Sequence, residues 1–508
     1  MNVIELSLFV SRMQSVCDEM GAALQHTAFS PNIRDRLDFS CAVFDEDGNL
    51  CAQAAHIPVH LGSMAYAMQS IVSEIEWQPG DCVILNDPFL GGTHLPDVTF
   101  ISPVFVDNDL HGFVANRAHH ANIGATTPGS MPVARTLEEE GLVIQPVHLC
   151  RKNRIVEDVW SRIMNALKRS SVAEADFNAQ LSANRTGVLR LLDLIRTMRS
   201  PQYRQALSGL NDYAERMAAS GLGDIPRGSY RFSDLMDDDG QDQNDIPICV
   251  TIDISDRFVT VDFNGTAAQV SGNINCPLSV TAAAVYYCFF CLMPEDTPPC
   301  AGAFRSIRIR AAKGSLVNAS APAAVAAGNV ETSTRIVDVI LGALAQAIPE
   351  RIPAASQGTM NNVAMGSASW DYYETLAGGM GAGKHGGGLN VVQTHMTNTS
   401  NTPIEILEMH YPIRINRYQL RPDSGGVGTH RGGLGLVREY HFLADTSVSL
   451  ITERRRHSPW GLAGGGPAAS GINLLNGKAL PGKITFRVNA GDVLAVATPG
   501  GGGWGVCC

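Results

Sequence analysis

Leu6, Phe9, Met13, Val16, Met20 and Ala23 recur at alternating spacings of three and four. That is the apolar stripe of one helix, and it predicts a helix over 2–27 that Pro31 cannot continue. Residues 39–55 change to short apolar runs on either side of Glu46-Asp47-Gly48-Asn49, the pattern of a hairpin and its turn. A helical pattern returns from His60 to Trp77, ahead of Pro79-Gly80. Cys82–Leu85 reads as a short apolar strand running into the turn Asn86-Asp87-Pro88. Strands follow over 98–106 and 111–118, and in the second Phe113, Ala115, Arg117 and His119 share one face. Residues 154–220, rich in Leu, Arg and Ala, read as helix interrupted at Pro201.

Near residue 221 the pattern changes. An acidic, turn-rich stretch from Asp234 to Asp245 precedes strands over 246–254 and 258–263. A buried helix is expected over 281–293 and another over 333–347, capped by Thr332 or Ser333. Beyond Pro349 short apolar stretches alternate with glycine clusters. These patterns predict an α+β, multidomain protein with mixed sheets. Its parts are an N-terminal region with a helical extension (1–220), an α/β middle domain (221–348) and a β-rich, glycine-loop domain (349–508).

Composition adds two constraints. Glycine contributes 50 of the 508 residues, above the usual share of about 7%. Charged residues are 17%, below the usual level of about 25%. Together they fit a loop-rich chain with much surface hidden, partners included. The net charge of −11 excludes a nucleic-acid footprint, and the one basic triplet, Arg454-Arg455-Arg456, does not change that. The longest apolar run has 13 residues, short of the roughly 20 that span a bilayer. The N-terminus carries Glu5 and no basic segment, so no export signal is expected. The 12 cysteines then read as free thiols in a cytoplasmic protein. Cys288-x-x-Cys291, flanked by aromatic residues, reads as core thiols.

The strongest chemical signal is His94-x-x-Asp97 together with His119. Pro96 keeps the first pair off a regular helix and places it on a loop after a strand. His119 closes a later strand, and two strands that fold back would bring it to the same place. Two imidazoles and a carboxylate leave coordination positions open, as a hydrolytic metal requires. Mixed nitrogen and oxygen ligation suits zinc, manganese or iron. The spacing matches no standard zincin motif, so on spacing alone two ordinary, partly buried histidines remain the alternative. Asp38 lies in the same region, His56 and His60 flank Pro58, and His120 adjoins His119 on the opposite strand face.

Several glycine motifs mislead. Gly378 to Lys384 matches a phosphate loop, but His385 replaces the hydroxyl residue and the preceding WDYYETLA does not read as a buried strand. Gly381-x-Gly383-x-x-Gly386 and Gly500-x-Gly502-x-x-Gly505 open no predicted helix, and Asp423-Ser424-Gly425-Gly426 lacks the context of a serine nucleophile. Tight turns or close backbone approach account for all of them.

Longer segments carry a resemblance. Asn32 to Ser40, His56 to Met64, Asn86-Asp87-Pro88, Gly91 to Asp97, Ala118-His119-His120 and Pro128 to Met131 resemble the hydantoinase B family. So do Glu140-Gly141-Leu142, Ala324 to Asn329, Asp423 to Gly426, Arg431 to Gly435 and Thr498 to Gly503. The resemblance runs the length of the chain. It implies the B-type subunit of an ATP-dependent hydantoinase, oxoprolinase or lactamase. A separate A-type subunit would use ATP to phosphorylate a cyclic amide, and this chain would open the ring. It implies Asp38, His94, Asp97 and His119 as ligands of a divalent metal. His120, His56 or His60 would orient ligands or carry protons, with Arg117 available to bind an anionic intermediate. A ketone carboxylase subunit with the same metal fold is the alternative enzyme, and a glycine-looped scaffold for a catalytic partner is the non-enzymatic one.

Overall fold

The computed structural model describes residues 3–55, 57–168 and 170–507. The first helix spans Val3–Thr27 and buries Phe9, Met13, Val16 and Met20 as the spacing predicts, with Cys17 and Leu24 widening the stripe. It packs beside the long helix Ser171–Met198 against one face of a seven-stranded sheet. That sheet contains β1 (Phe39–Phe44), β2 (Leu50–Ala55), β3 (Cys82–Leu85), β4 (Asp97–Val106), β5 (Asp109–His119), β6 (Val147–Arg151) and β7 (Arg154–Ile155). The order is β2-β1-β5-β4-β3-β6-β7. The opposite face is covered by the helix Pro58–Glu74. This helix starts on Pro58, where a missing N–H costs nothing, and ends before Trp77. Trp77 leaves the helical path to pack on Phe113, with ring centroids 4.9 Å apart.

Pro201 marks a break, as expected: Arg199 adopts φ 67° and a new helix runs Ser200–Leu222. A four-stranded sheet follows, of β8 (Gly228–Asp238), β9 (Asn244–Ile254), β10 (Val259–Asp262) and β11 (Ile307–Arg310). The acidic stretch is therefore not all turn, because its first part completes β8. Its carboxylates are compensated by the basic triplet. Asp234 pairs with Arg454 at 2.8 Å, Asp245 pairs with Arg456 at 3.0 Å, and Asp237 accepts the Arg455 and His457 N–H groups. The helices Leu278–Phe290 and Ser333–Leu344 form where expected. Neither Thr332 nor Ser333 caps the second, because a π-helical turn, Gly328–Thr332, leads directly into it. Cys288 is buried, but Cys291 lies past the helix end and is exposed. No described helix is long and apolar enough to cross a membrane.

The C-terminal part holds two sheets, one of four strands and one of five. Asp371–Thr375, within WDYYETLA, is a buried strand after all. Its polar side chains conceal it from a hydropathy reading, yet they are paired inside: Glu374 lies 3.1 Å from Arg438, and Tyr373 donates to Asn362 at 2.8 Å. The architecture as a whole is α+β with several sheets; the named strands pair antiparallel except β10 with β11, whose parallel pairing makes the middle sheet mixed.

The glycine clusters hydrogen-bond to one another through their backbones. The Gly433 N–H donates to Met380 O at 2.8 Å, Gly501 N–H to Gly433 O at 2.9 Å, Gly426 N–H to Gly501 O at 2.9 Å and Gly503 N–H to Gly466 O at 3.0 Å. Close approach, more than left-handed backbone, selects glycine here. A Cβ on Gly433 would lie 1.9 Å from the Leu389 carbonyl oxygen, whereas one on Gly383 meets nothing within 4 Å. Gly433→Ala should therefore cost about 2 kcal/mol or more, and Gly383→Ala should stay within about 1 kcal/mol of wild type. Thermal unfolding of the two variants checks the contrast.

Candidate metal centre

The ends of β1, β4 and β5 meet at one point. Asp97 opens β4, His119 closes β5, and the two are direct partners in the antiparallel register. Their side chains therefore leave the same face, as the folding back of two strands predicts. Asp38 directly precedes β1, and its carbonyl accepts the His119 N–H at 3.0 Å. His94 stands on the loop before β4. Asn86 anchors that loop, donating to the carbonyls of Leu95 at 2.7 Å and Leu142 at 2.9 Å. Arg117 braces it from beneath: its guanidinium donates to Thr99, Ser63 and the Gly91 carbonyl at 2.8, 2.7 and 3.0 Å.

Ligand atoms of His94, Asp97 and His119 lie within 4.8 Å of one another, and all three side chains are buried. His94 Nδ1 and Nε2, Asp97 Oδ1 and His119 Nε2 have no hydrogen-bond partner. Asp97 Oδ2 is the shared neighbour of the group. It lies 3.4 Å from both His60 Nε2 and His94 Nε2 and accepts the Thr93 hydroxyl at 2.5 Å. The other ring nitrogens are held from behind. Asn32 Nδ2 lies 3.2 Å from His119 Nδ1, and Ser40 Oγ lies 3.0 Å from His60 Nδ1. The His119 ring stacks on Tyr373, 4.8 Å between centroids.

The electrostatics match the geometry. Burial pushes the His119 imidazole well down, with His94 adding to the effect, so it is neutral. Burial alone would raise the Asp97 carboxyl, but His94 and His60 hold it well below the usual carboxylate range. Neutral imidazole and ionised carboxylate are the forms that bind a divalent cation. The Asp38 carboxyl is raised by burial, against the pull of the Arg36 guanidinium 3.7 Å away. A buried polar atom left without a partner costs about 1–3 kcal/mol. Four such atoms on two imidazoles and a carboxylate fit a bound metal ion.

The cavity has a volume of about 20 Å³, room for one water-sized sphere. Asp38, His60, His94, Asp97 and His119 line it together, with Asn329, Met360, Tyr373 and a group of threonines opposite. Asp38 stands outside the tightest three-residue group. Two other expected residues are placed elsewhere. Arg117 does not line the cavity, because its donors are taken by the contacts named above. His120 turns to the opposite face, where its Nε2 lies 2.9 Å from Gln180 Oε1. His56 lies outside the described residues. Tyr373, Asn329 and the threonines come from distant segments; Asn329 ends one of the segments that carry the resemblance, but no local motif announces Tyr373 or the threonines.

The hydantoinase B/oxoprolinase family model matches residues 2–507, and the chain belongs to this family. It is 39% identical to 5-oxoprolinase 1 of Arabidopsis thaliana over 99% of its own length, which is 42% of the plant protein. It is 31% identical to the B-type subunit assigned to a D-/L-hydantoinase of a Pseudomonas species, covering 99% of this chain and 90% of that one. The solved ATP-dependent caprolactamase of Pseudomonas jessenii superimposes with a TM-score of 0.93 at 26% identity, covering 100% of this chain and 91% of that one. The family comprises ATP-dependent hydantoinase, oxoprolinase and lactamase enzymes.

One buried acid supports the cavity wall. Glu140 Oε1 accepts the Val325 and Ala326 N–H groups at 2.9 and 2.8 Å, fixing the segment that leads to Asn329. Burial pushes its carboxyl up to about 8, from 4.5, against the pull of those two N–H groups. The folded state therefore binds a proton that the unfolded state releases. The stability this group contributes is fully present below pH 4.5 and declines as pH rises towards 8. Glu140→Gln removes that titration. The thermal midpoint of the variant should gain steadily on wild type between pH 5 and 8, and a constant difference would contradict the assignment.

Proposed function

We propose that this chain is the metal-dependent hydrolytic subunit of an ATP-dependent cyclic amide hydrolase. It opens a hydantoin, 5-oxoproline or lactam ring in the cytoplasm, in a hetero-oligomer with a separate ATP-using subunit of the hydantoinase A type. The carrying observation is the set of unpartnered polar atoms of His94, Asp97 and His119 around one buried cavity. The names of the hydantoinase subunit and the caprolactamase support the substrate class. The phosphate-loop lookalike supports a nucleotide site on another chain: Lys384 is paired with Glu350 at 2.6 Å, and the Gly379 and Gly388 N–H groups are taken by the Pro499 and Arg431 carbonyls at 3.1 and 2.9 Å.

An unstrained amide is a poor electrophile, and phosphorylation of its oxygen by the partner makes the ring carbon open to attack. His94, Asp97 and His119, completed by Asp38, would hold zinc, manganese or iron. The metal would supply Lewis acidity and activate a water near neutral pH. Water adds to the ring carbon, the C–N bond breaks as the departing nitrogen takes a proton, and hydrolysis of the acyl phosphate left behind frees the carboxylate and inorganic phosphate. His60 lines the cavity with Nδ1 anchored on Ser40, so its Nε2 can hold and deliver that proton. Asn32 and Tyr373 fix the His119 ring. A cyclic amide exceeds the present cavity, so its walls must part to admit one.

The test uses the complex with the ATP-using partner. His94→Ala should lose the bound metal and ring opening while ATP hydrolysis by the partner persists, and full turnover by that variant would refute the site. The chain alone, supplied with ATP, should leave its cyclic amide intact. Turnover without a partner would overturn the split between subunits, and bicarbonate-dependent ketone carboxylation by the complex would assign the chain to the carboxylases.

A further inference from the structure

Among the described residues lining the cavity, Asn329 contributes the one carboxamide. It is 4% exposed, and its Oδ1 has no hydrogen-bond partner. The other unpartnered polar atoms named at this cavity belong to His94, Asp97 and His119. Asn329 Oδ1 is therefore a neutral acceptor, buried and unused, beside the reacting centre.

Its position is imposed by the fold. Asn329 sits in the π-helical turn Gly328–Thr332, a rare form that is frequent at functional sites. The turn is clamped from behind. The Gly328 N–H donates to Asn273 O at 3.0 Å, and a Cβ on Gly328 would lie 1.8 Å from Asn275 O. Thr332 donates to Ile274 O at 2.5 Å, and Glu331 Oε1 accepts the Asn362 side-chain amide at 2.7 Å and the Met360 N–H at 3.2 Å. The threonines of the same wall are less available, because Thr375 and Thr399 share a hydrogen bond of 2.5 Å.

We propose that the Asn329 carboxamide binds the ring nitrogen of the cyclic amide and so selects substrates with an unsubstituted ring N–H. This rests on the functional reading above. A carboxamide carries an acceptor and two donors. With the cyclic amide seated in this cavity while the partner phosphorylates its oxygen, the carboxamide can accept from the ring N–H and then donate to the ring nitrogen once that hydrogen has been lost. The side chain thus stays paired through both states, orienting the ring with its C–N bond towards the centre.

The complex with the ATP-using partner is assayed on 2-pyrrolidinone, 5-oxoproline and hydantoin, each beside its ring N-methylated counterpart. Asn329→Ala should raise KM for the N–H substrate about tenfold or more, with a smaller change in kcat. The preference for N–H over N-methyl rings should fall by about the same factor, and bound metal should stay at the wild-type level. Asn329→Asp keeps the oxygen and should keep the preference, which gives a second reading if the alanine variant misfolds. If the wild-type complex opens a ring but a soluble alanine variant or the aspartate variant breaks this pattern, the role of Asn329 is overturned and the functional reading stands. Metal loss in the alanine variant also overturns it, by making Asn329 a ligand. If the wild-type complex opens none of these rings, the functional reading fails first, and this inference with it.

Discussion

Four nitrogen and oxygen atoms of His94, Asp97 and His119 are buried without hydrogen-bond partners. That desolvation is the constraint on which the arrangement around them depends, because each such atom is costly until something binds it. The surrounding structure holds the atoms in place when collapse of the cavity would be cheaper. The β4–β5 register sets Asp97 opposite His119, Asn86 and Arg117 lock the loop that carries His94, and Tyr373 reaches across from the C-terminal part to stack on His119. A polar cluster held in place by contacts from so many segments is a binding feature of the fold.

The same logic extends outward. The charges that remain in a weakly charged chain are used internally. Arg454 meets Asp234, Lys483 pairs with Glu453 at 2.5 Å, and Arg438 with Glu374. Buried pairs of this kind contribute little net stability, but removing one partner strands the other at a cost of about 3–5 kcal/mol. They therefore specify which segments lie together. The glycine clusters act in parallel, since at positions such as Gly433 and Gly501 their backbones approach too closely for a side chain. Both devices bring the strand Asp371–Thr375 and the turn Gly328–Thr332 up to the site assembled by the N-terminal sheet.

Much of this was legible in the sequence. The period of the first helix, the hairpin at Gly48, the break at Pro201 and the strands carrying Asp97 and His119 follow from local pattern, since burial of one face leaves a periodic trace. The resemblance supplied the family. Failures occurred where polar residues are buried in pairs. The acidic end of β8 read as turn because its compensating arginines lie about 220 residues away, and the strand Asp371–Thr375 was hidden by its own Glu374 and tyrosines. Arg117 shares the strand face of His119, as alternation predicts, yet alternation cannot show that Ser63, Thr99 and Gly91 already occupy its donors. Asn329 lies in a segment that carries the resemblance, but nothing local assigns it a role, because its meaning comes from a cavity built by other segments.

The central claim is that the buried polar cluster is a metal site of histidine and carboxylate ligands. X-ray absorption spectroscopy at the metal edge of the purified full chain tests it most directly. One metal per chain is expected, with two imidazole ligands and carboxylate oxygens at about 2.0–2.2 Å. A spectrum with sulfur ligands, or without imidazole scattering, or a chain that holds no metal in stoichiometric amount, would contradict it.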